Sequence, residues 1–306
     1  MKTPFPVDPA LTAIAIAYRN KRLIAVDVLP RTPVGKQEFK YLVHDLADNF
    51  TLPDTRVGRK SAPNRVEFGA TEKTASTSDY ALDAPVPNAD IENAAGSGFD
   101  PVGHAVETTT NLILLDREVR TSNLVFTKAN HANATTLSGT SQWSHEDSSP
   151  LNAIMDALDN VVMRPNIGVL GRAVSTALRR HPKIVKAYNG TLGDEGLVPL
   201  QFIADLLELE AIYVGEARLN VARPGQAVNL SRVWGKHAAF LYRDSLASTS
   251  SGTTWGMTAQ WGARVAGQQE DGDVGMRGGI RVRTGESVAE LVTAKDLSCF
   301  FENAVE

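Results

Sequence analysis

FTLPDTRVGRKSAPNRVEFGATEKTASTSDYALDAPVP is the sequence of residues 50–87, a long polar, turn-rich segment that cannot bury much apolar surface by itself. Two runs inside it, 65–70 and 76–82, alternate apolar and polar residues, which is the period of a half-buried strand. The segment therefore predicts an extended β-hairpin. Because an isolated hairpin is marginally stable in water, we expect it to fold over another subunit, and this indicates an assembly protein.

The two limbs of the predicted hairpin carry charges of opposite sign. The first limb is basic, and the second is acidic apart from one lysine. We predict that these side chains contact neighbouring subunits, with hairpins pairing edge to edge and each exposed ion pair contributing about 0–1 kcal/mol. The residues are Arg56, Arg59, Lys60 and Arg65 on the first limb, and Glu72, Lys73, Asp79 and Asp83 on the second.

Composition bounds the class of protein. With 306 residues, 42% of them hydrophobic, the chain can bury a substantial core as one large domain or two. The net charge of -4 argues against a protein that mainly grips phosphates. The N-terminus has no apolar core of signal-peptide type, apolar runs such as 112–115 are too short to span a membrane, and the single cysteine, Cys299, is expected to be buried.

The order of elements predicts an α+β fold. The first fifty residues are an arm punctuated by prolines, with one short helix. Asp100-Pro101 is a cap followed by proline at the first helical position and predicts a helix of about 25 residues to Phe126. Ser149-Pro150 is the same combination of a cap and a proline, and it predicts a second helix that starts at Pro150. The later predictions are strands at 167–170, 212–214, 238–242, 253–261 and 280–284, helices at 172–180 and 201–209, and a glycine-rich turn at 272–279.

Motifs for chemistry are weak. Gly168 and Gly171 lie between a strand and a helix, where a phosphate-binding turn would lie, but the third glycine is missing. The six histidines show no metal-ligand spacing, and no Gly-x-Ser-x-Gly turn presents a serine. We therefore predict no catalytic, cofactor or metal site and no enzyme activity. A soluble α/β enzyme would require a pocket with convergent titratable groups.

The α/β unit also separates its charges. Basic residues lie on or beside the helix at 172–180, and acidic residues lie around the helix at 201–209. The two faces either contact neighbours around a ring or are simply solvated. The candidate contact residues are Arg172, Arg179, Arg180, Asp205 and Glu208.

Seven short strings carry a resemblance to a known family. They are FTLPDT (50–55), VGRKSAPN (57–64), LLDREV (114–119), LSGTSQW (137–143), MRPN (163–166), VWGKH (233–237) and TAQWG (258–262). They resemble the major capsid proteins of tailed bacteriophages, which have the Hong Kong 97-type fold. The resemblance implies an N-terminal arm (1–49), an extended β-hairpin loop or E-loop (50–87), a peripheral domain with a long spine helix (88–164), an axial α/β domain (165–250) and a return to the peripheral domain (251–306).

The same resemblance implies pentamers and hexamers that form an icosahedral head enclosing double-stranded DNA without sequence-specific binding. The implied partners are other copies of the chain, scaffold and portal proteins and decoration proteins, with no membrane. The implied location is the virion, and the bacterial cytoplasm before assembly. The capsid-like sequence begins near Met1, so a separate scaffold is expected. Lys60 and Lys73 lack an identifiable cross-linking partner. An encapsulin-like compartment enclosing cargo is the alternative.

Overall fold

The computed structural model describes residues 5–44, 52–65, 70–190, 193–249 and 251–306. The helices are α1 (Pro9–Ala17), α2 (Ala25–Val28), α3 (Asn88–Ala94), α4 (Pro101–Val125), α5 (Pro150–Asp159), α6 (Arg172–Arg180), α7 (Pro182–Asn189) and α8 (Leu200–Leu206). The strands are β1 (Arg31–Val34), β2 (Glu38–His44), β3 (Ala70–Ser76), β4 (Ser78–Pro87), β5 (Asn133–Thr136), β6 (Ile167–Gly171), β7 (Ala211–Gly215), β8 (Arg218–Asn220), β9 (Leu230–Arg232), β10 (Ala238–Leu241), β11 (Gly256–Asp271), β12 (Gly279–Val292) and β13 (Ser298–Glu302).

Two larger sheets and two small ribbons organise these strands. One sheet has the order β1-β11-β12-β4, and the other has the order β5-β13-β10-β6-β7. Strands β2 and β3 form a separate two-stranded ribbon, and β8 and β9 form a second one. Helix α4 packs against β12 and β4 of the first sheet. In the described residues, no helix is both long enough and apolar enough to cross a membrane.

The long helix α4 confirms the prediction made from its capping signals. It runs for 25 residues from Pro101, and the Asp100 side chain accepts a hydrogen bond from the backbone N–H of Val102. This contact satisfies one of the donors that every helix leaves free at its N-terminus. The helix also buries charge, because Arg117 and Glu118 are both fully buried.

The strand pairing predicted for the extended loop is wrong. Residues 78–87 form β4, which pairs with β12 from Pro87 opposite Gly279 to Ser78 opposite Val288. The ribbon instead joins β2 to β3, with Glu38 opposite Ser76. Alternation identifies a strand but not its partner, and the run 38–44 lies within the segment that the sequence assigns to the arm. The other predicted run, 65–70, lies largely outside the described residues.

The packing around Cys299 and Gly171 tests two predictions made from the sequence. Cys299 is buried as expected, and burial raises the pKa of its thiol to about 12. A Cβ added to Gly171 would lie 1.9 Å from the carbonyl oxygen of Gly235. Gly171 therefore permits a close backbone approach and does not open a phosphate site.

His131 is a buried imidazole between two aromatic rings. Its ring centroid lies 5.2 Å from that of Trp255 and 4.9 Å from that of Phe300, nearly parallel to both. Its Nε2 lies 2.7 Å from the Val125 carbonyl oxygen, and its Nδ1 lies 2.8 Å from Ser298 Oγ. A neutral ring fits if Nε2–H donates to Val125 and the one Ser298 hydroxyl proton goes to Nδ1 and not to the Lys295 carbonyl oxygen, which lies 3.0 Å from the hydroxyl. Burial lowers the pKa of His131 from 6.5 to about 4.

This lowered pKa predicts a loss of stability in acid. Below pH 6.5 the unfolded chain binds a proton that the folded chain refuses, so stability falls as the pH drops from about 6.5 to about 4. The loss amounts to about 3 kcal/mol. Denaturant unfolding of the parent and His131→Phe at several pH values measures it: the variant should be less stable at pH 7 but lose less on acidification. His104→Phe, at an exposed histidine, is the control. Parallel losses in the parent and His131→Phe would contradict the prediction.

Candidate intersubunit surface

The tip of the extended loop displays its basic side chains to solvent. Every described residue from 52 to 65 is exposed. Local hydrogen bonds shape this tip: Asp54 Oδ1 accepts from the Arg56 N–H at 2.9 Å, and Asn64 Nδ2 donates to the Asp54 carbonyl at 2.8 Å. The four predicted cations of the first limb are therefore all exposed within this one segment. They are Arg56, Arg59, Lys60 and Arg65.

Glu72 and Lys73 lie on strand β3 of the ribbon. Lys40 Nζ lies 2.5 Å from Glu72 Oε2, and the hydrogen bond to this carboxylate raises the pKa of Lys40. Glu72 therefore already has a partner within its own ribbon. Lys73, opposite Tyr41, lines a cleft of about 560 Å³ between the ribbon and residues 248–249 and 252–254.

Asp79 and Asp83 lie on β4 of the four-stranded sheet, so their predicted place on the hairpin is wrong. Asp79 is exposed opposite Ser287. Asp83 accepts two hydrogen bonds of 2.6 Å from Arg283, and these hold the pKa of its carboxyl below the usual range. The acidic limb does not exist as a continuous edge, because β4 belongs to a different sheet from β3.

The charged residues of the α/β unit are largely partnered within the chain. Arg172 pairs with Glu216 at 2.9 Å, and Glu208 pairs with Arg164 at 3.4 Å. Arg179 Nε donates to the Val198 carbonyl, and Asp205 accepts from Gln201. Arg180 at the end of α6 is exposed. Their contact with neighbouring subunits stays a prediction, and Arg180 is the best placed of them.

A buried ion cluster beneath the N-terminal segment was missed by sequence reasoning. Glu286 Oε2 lies 2.8 Å from both Arg31 Nη2 and Arg264 Nη2. Arg264 also donates to the Ala15 carbonyl, which ties helix α1 to the sheet. Burial acts to raise the pKa of Glu286, but the surrounding arginines outweigh it and hold the pKa below its ordinary value.

Arg117 of helix α4 adjoins this cluster. Its Nη2 donates to the Leu29 carbonyl at 3.1 Å and to Thr258 Oγ1 at 2.9 Å. Burial lowers the pKa of Arg117 to about 10. The cluster therefore joins the N-terminal segment, the long helix and the sheet.

Glu118, the next residue along the helix, accepts three hydrogen bonds from two segments that are distant in sequence. Its Oε1 accepts from the Ile24 N–H at 2.9 Å and from Trp234 Nε1 at 2.6 Å, and its Oε2 accepts from the Ala25 N–H at 2.8 Å. Burial raises the pKa of this carboxyl. The spacing of residues along the helix could have predicted this site. Residues 114, 117, 118 and 121 share one helix face, so Arg117 and Glu118 lie on the same face as the apolar Leu114.

Comparison with known proteins identifies the family. The family model described as phage major capsid protein E matches residues 127–206. The major capsid protein of Pseudomonas phage JBD67 is 68% identical over 304 residues, which cover 99% of this chain and 98% of that protein. The chain belongs to the phage major capsid protein family. The resemblance seen in the seven sequence strings is confirmed.

Solved structures place this capsid protein in the Hong Kong 97-type fold. A phage-related protein from Bordetella bronchiseptica RB50 superposes with a TM-score of 0.79 at 23% identity, covering 99% of both chains. The capsid of Cyanophage P-SCSP1u gives 0.59 at 8% identity, covering 99% of this chain and 90% of that one. The predicted α+β fold class is confirmed.

An encapsulin, SrpI from Synechococcus elongatus PCC 7942, also shares the fold. It gives a TM-score of 0.57 at 10% identity, covering 100% of this chain and 94% of that chain. This likeness concerns the fold alone. The close sequence relative is a phage capsid protein, so the phage assignment is better supported than the encapsulin alternative.

Proposed function

We propose that this capsid protein assembles into pentamers and hexamers of an icosahedral head that encloses double-stranded DNA. It acts as a structural protein and not as an enzyme. Scaffold and portal proteins, and in some heads decoration proteins, are its further partners, and it resides in the bacterial cytoplasm before assembly. Family membership supports this proposal, and the exposed basic tip at 52–65 is the observation that carries it.

The tip suits contact with a neighbouring copy. The ribbon β2–β3, which flanks the tip in sequence, belongs to neither of the larger sheets, and a two-stranded ribbon alone buries too little surface to be stable. Four cations gather there, whereas the chain as a whole has a net charge of -4. We propose that Arg56, Arg59, Lys60 and Arg65 meet acidic surface of the adjacent subunit. In this proposal the functional loop runs from 38 to 76, the arm ends at 37, residues 77–87 join the peripheral domain because β4 pairs with β12, and the remaining bounds follow the sequence assignment.

Charge reversal at the tip tests this function. Arg59→Glu should raise the threshold concentration for shell formation about fivefold, because about 1 kcal/mol is lost at each contact. Light scattering over a concentration series, with ultraviolet absorbance for nucleic acid, measures it. Arg277→Glu, which makes the same charge change in an exposed turn, is the matched control.

Three outcomes are informative. A higher threshold in Arg59→Glu alone supports the loop contact. Equal threshold concentrations in Arg59→Glu and Arg277→Glu would show that the tip does not contribute to the intersubunit contact. A parent protein that stays a fixed dimer or tetramer at every concentration would contradict shell assembly, and shells that enclose cargo protein but no DNA would favour the compartment alternative.

A further inference from the structure

A second cluster of arginines lies in a cleft between the N-terminal segment, helix α4 and the hairpin β8–β9. The cleft has a volume of about 540 Å³. Arg22, Arg172, Arg218 and Arg232 line it, and among its described lining residues the single carboxylate is Glu216, which pairs with Arg172. We call this the cationic cleft. Its charge is strongly positive although the chain is acidic.

The hairpin at its edge holds two arginines in an unfavourable arrangement. Arg218 and Arg232 are directly opposite each other across the antiparallel pair, and both are exposed. Side chains of directly opposed residues project from the same face, and like charges placed so are destabilising. A ribbon of two three-residue strands is only marginally stable, so this repulsion is a significant cost to its folding. An anion bound between the two guanidinium groups would turn this repulsion into attraction.

The remaining cations come from other parts of the chain. Arg22 lies in the turn after helix α1, and its exposed side chain reaches the cleft. Asn20 and Asn111 line the same cleft and bond to each other at 2.8 Å, which fixes the turn against helix α4. Three segments that are distant in sequence thus direct guanidinium groups to one opening.

The side-chain chemistry selects phosphate as the ligand class. All four cations are arginines, whose planar guanidinium forks bind phosphate oxygens in a bidentate manner. The cleft exposes more polar than apolar surface, whereas a docked protein segment needs a buried apolar anchor. We propose that the cationic cleft binds the phosphate backbone of the enclosed DNA, an inference that rests on the proposed function.

Fluorescence anisotropy with a labelled duplex of mixed sequence tests the site on the unassembled protein. Arg218→Gln/Arg232→Gln should weaken binding about tenfold at 0.1 M salt and make the dependence of log K on log salt shallower by about 2, since each phosphate contact contributes about 0.9. Arg22→Gln, on a different segment, should lower the slope by about 1. Removing the repulsive pair should leave the hairpin folded, and circular dichroism checks this.

The matched control is Arg223→Gln, an exposed arginine in the turn of the same hairpin that does not line the cleft. Unchanged binding in Arg223→Gln, with losses in the two cleft variants, supports the proposal. Equal binding in all variants, or an equal loss in the control, overturns it. Tighter cleft-dependent binding of polyglutamate than of duplex at the same salt would also overturn it, in favour of an acidic protein segment.

Shell assembly is followed in parallel by light scattering. If the parent forms shells but the cleft variants bind DNA as tightly as the parent does, this inference alone is rejected. A parent that forms no shells rejects the proposed function, even if its cleft binds duplex.

Discussion

Replacement of Glu118 by alanine should lower the free energy of unfolding by about 3–5 kcal/mol. The carboxylate accepts hydrogen bonds from the Ile24 and Ala25 N–H groups and from Trp234 Nε1, all buried. Alanine would leave three donors without an acceptor and would open a cavity beside the indole. Denaturant unfolding of the unassembled protein measures the change.

Two variants sharpen this experiment. Asp116→Ala removes an exposed carboxylate two positions earlier on the same helix, whose partner is Arg120, and should cost less than about 1 kcal/mol. Glu118→Gln keeps the shape but places an amide N–H₂ where a second acceptor is needed, so its stability should fall between those of the parent and Glu118→Ala. A loss in Glu118→Ala no larger than that in Asp116→Ala would show that the three donors are satisfied in another way.

Removal of Glu286 should be comparably damaging, at about 3–5 kcal/mol, because it leaves buried arginines without their counter-charge. Arg31 and Arg264 both bond to Glu286 Oε2, and the charge of Arg117 acts on the same carboxylate. Thermal and denaturant unfolding of Glu286→Ala should show the loss. Glu270→Ala, at an exposed carboxylate of β11, is the control and should change stability by less than about 0.5 kcal/mol.

A double variant distinguishes uncompensated charge from lost packing. Replacing Arg264 by methionine in the Glu286→Ala background removes one of the stranded cations, and buried ion pairs replaced by apolar groups are often neutral in stability. Arg264→Met/Glu286→Ala should therefore be more stable than Glu286→Ala alone, with a coupling free energy of about 1–3 kcal/mol. Additive losses in the double variant would mean that the cluster stabilises the fold through shape and not through charge.

Local signals explain which parts of the fold were predictable. A cap followed by proline locates a helix start from two residues, and both Asp100-Pro101 and Ser149-Pro150 did so correctly. Strand β6 was equally clear, because it is a short apolar run between turn residues. The partner of a strand is set by residues far away in sequence, so β4 was recognised as a strand but assigned to the wrong neighbour.

The candidate sites also divide into those that local sequence predicts and those that depend on residues distant in sequence. The exposed tip at 52–65 was predictable from composition, since its residues have no apolar pattern that would bury them. The cationic cleft was not, because Arg22, Arg172 and Arg232 are separated by up to 210 positions and meet only after folding. Glu118 and Glu286 were hidden for a related reason: a charge inside an element reads as solvated until its buried partners are known.

The way the ribbon is attached also has a mechanical consequence. Its strands β2 and β3 continue into β1 and β4, which are the two outer strands of the same four-stranded sheet. Strand β1 is held to β11 over four residue pairs, whereas β4 is held to β12 over ten. Tension applied at the tip by a moving neighbour would load both edges of the sheet. Because β1 has fewer ladder pairs, the buried ion pair between Arg31 and Glu286 would carry a larger share of the load on the N-terminal side.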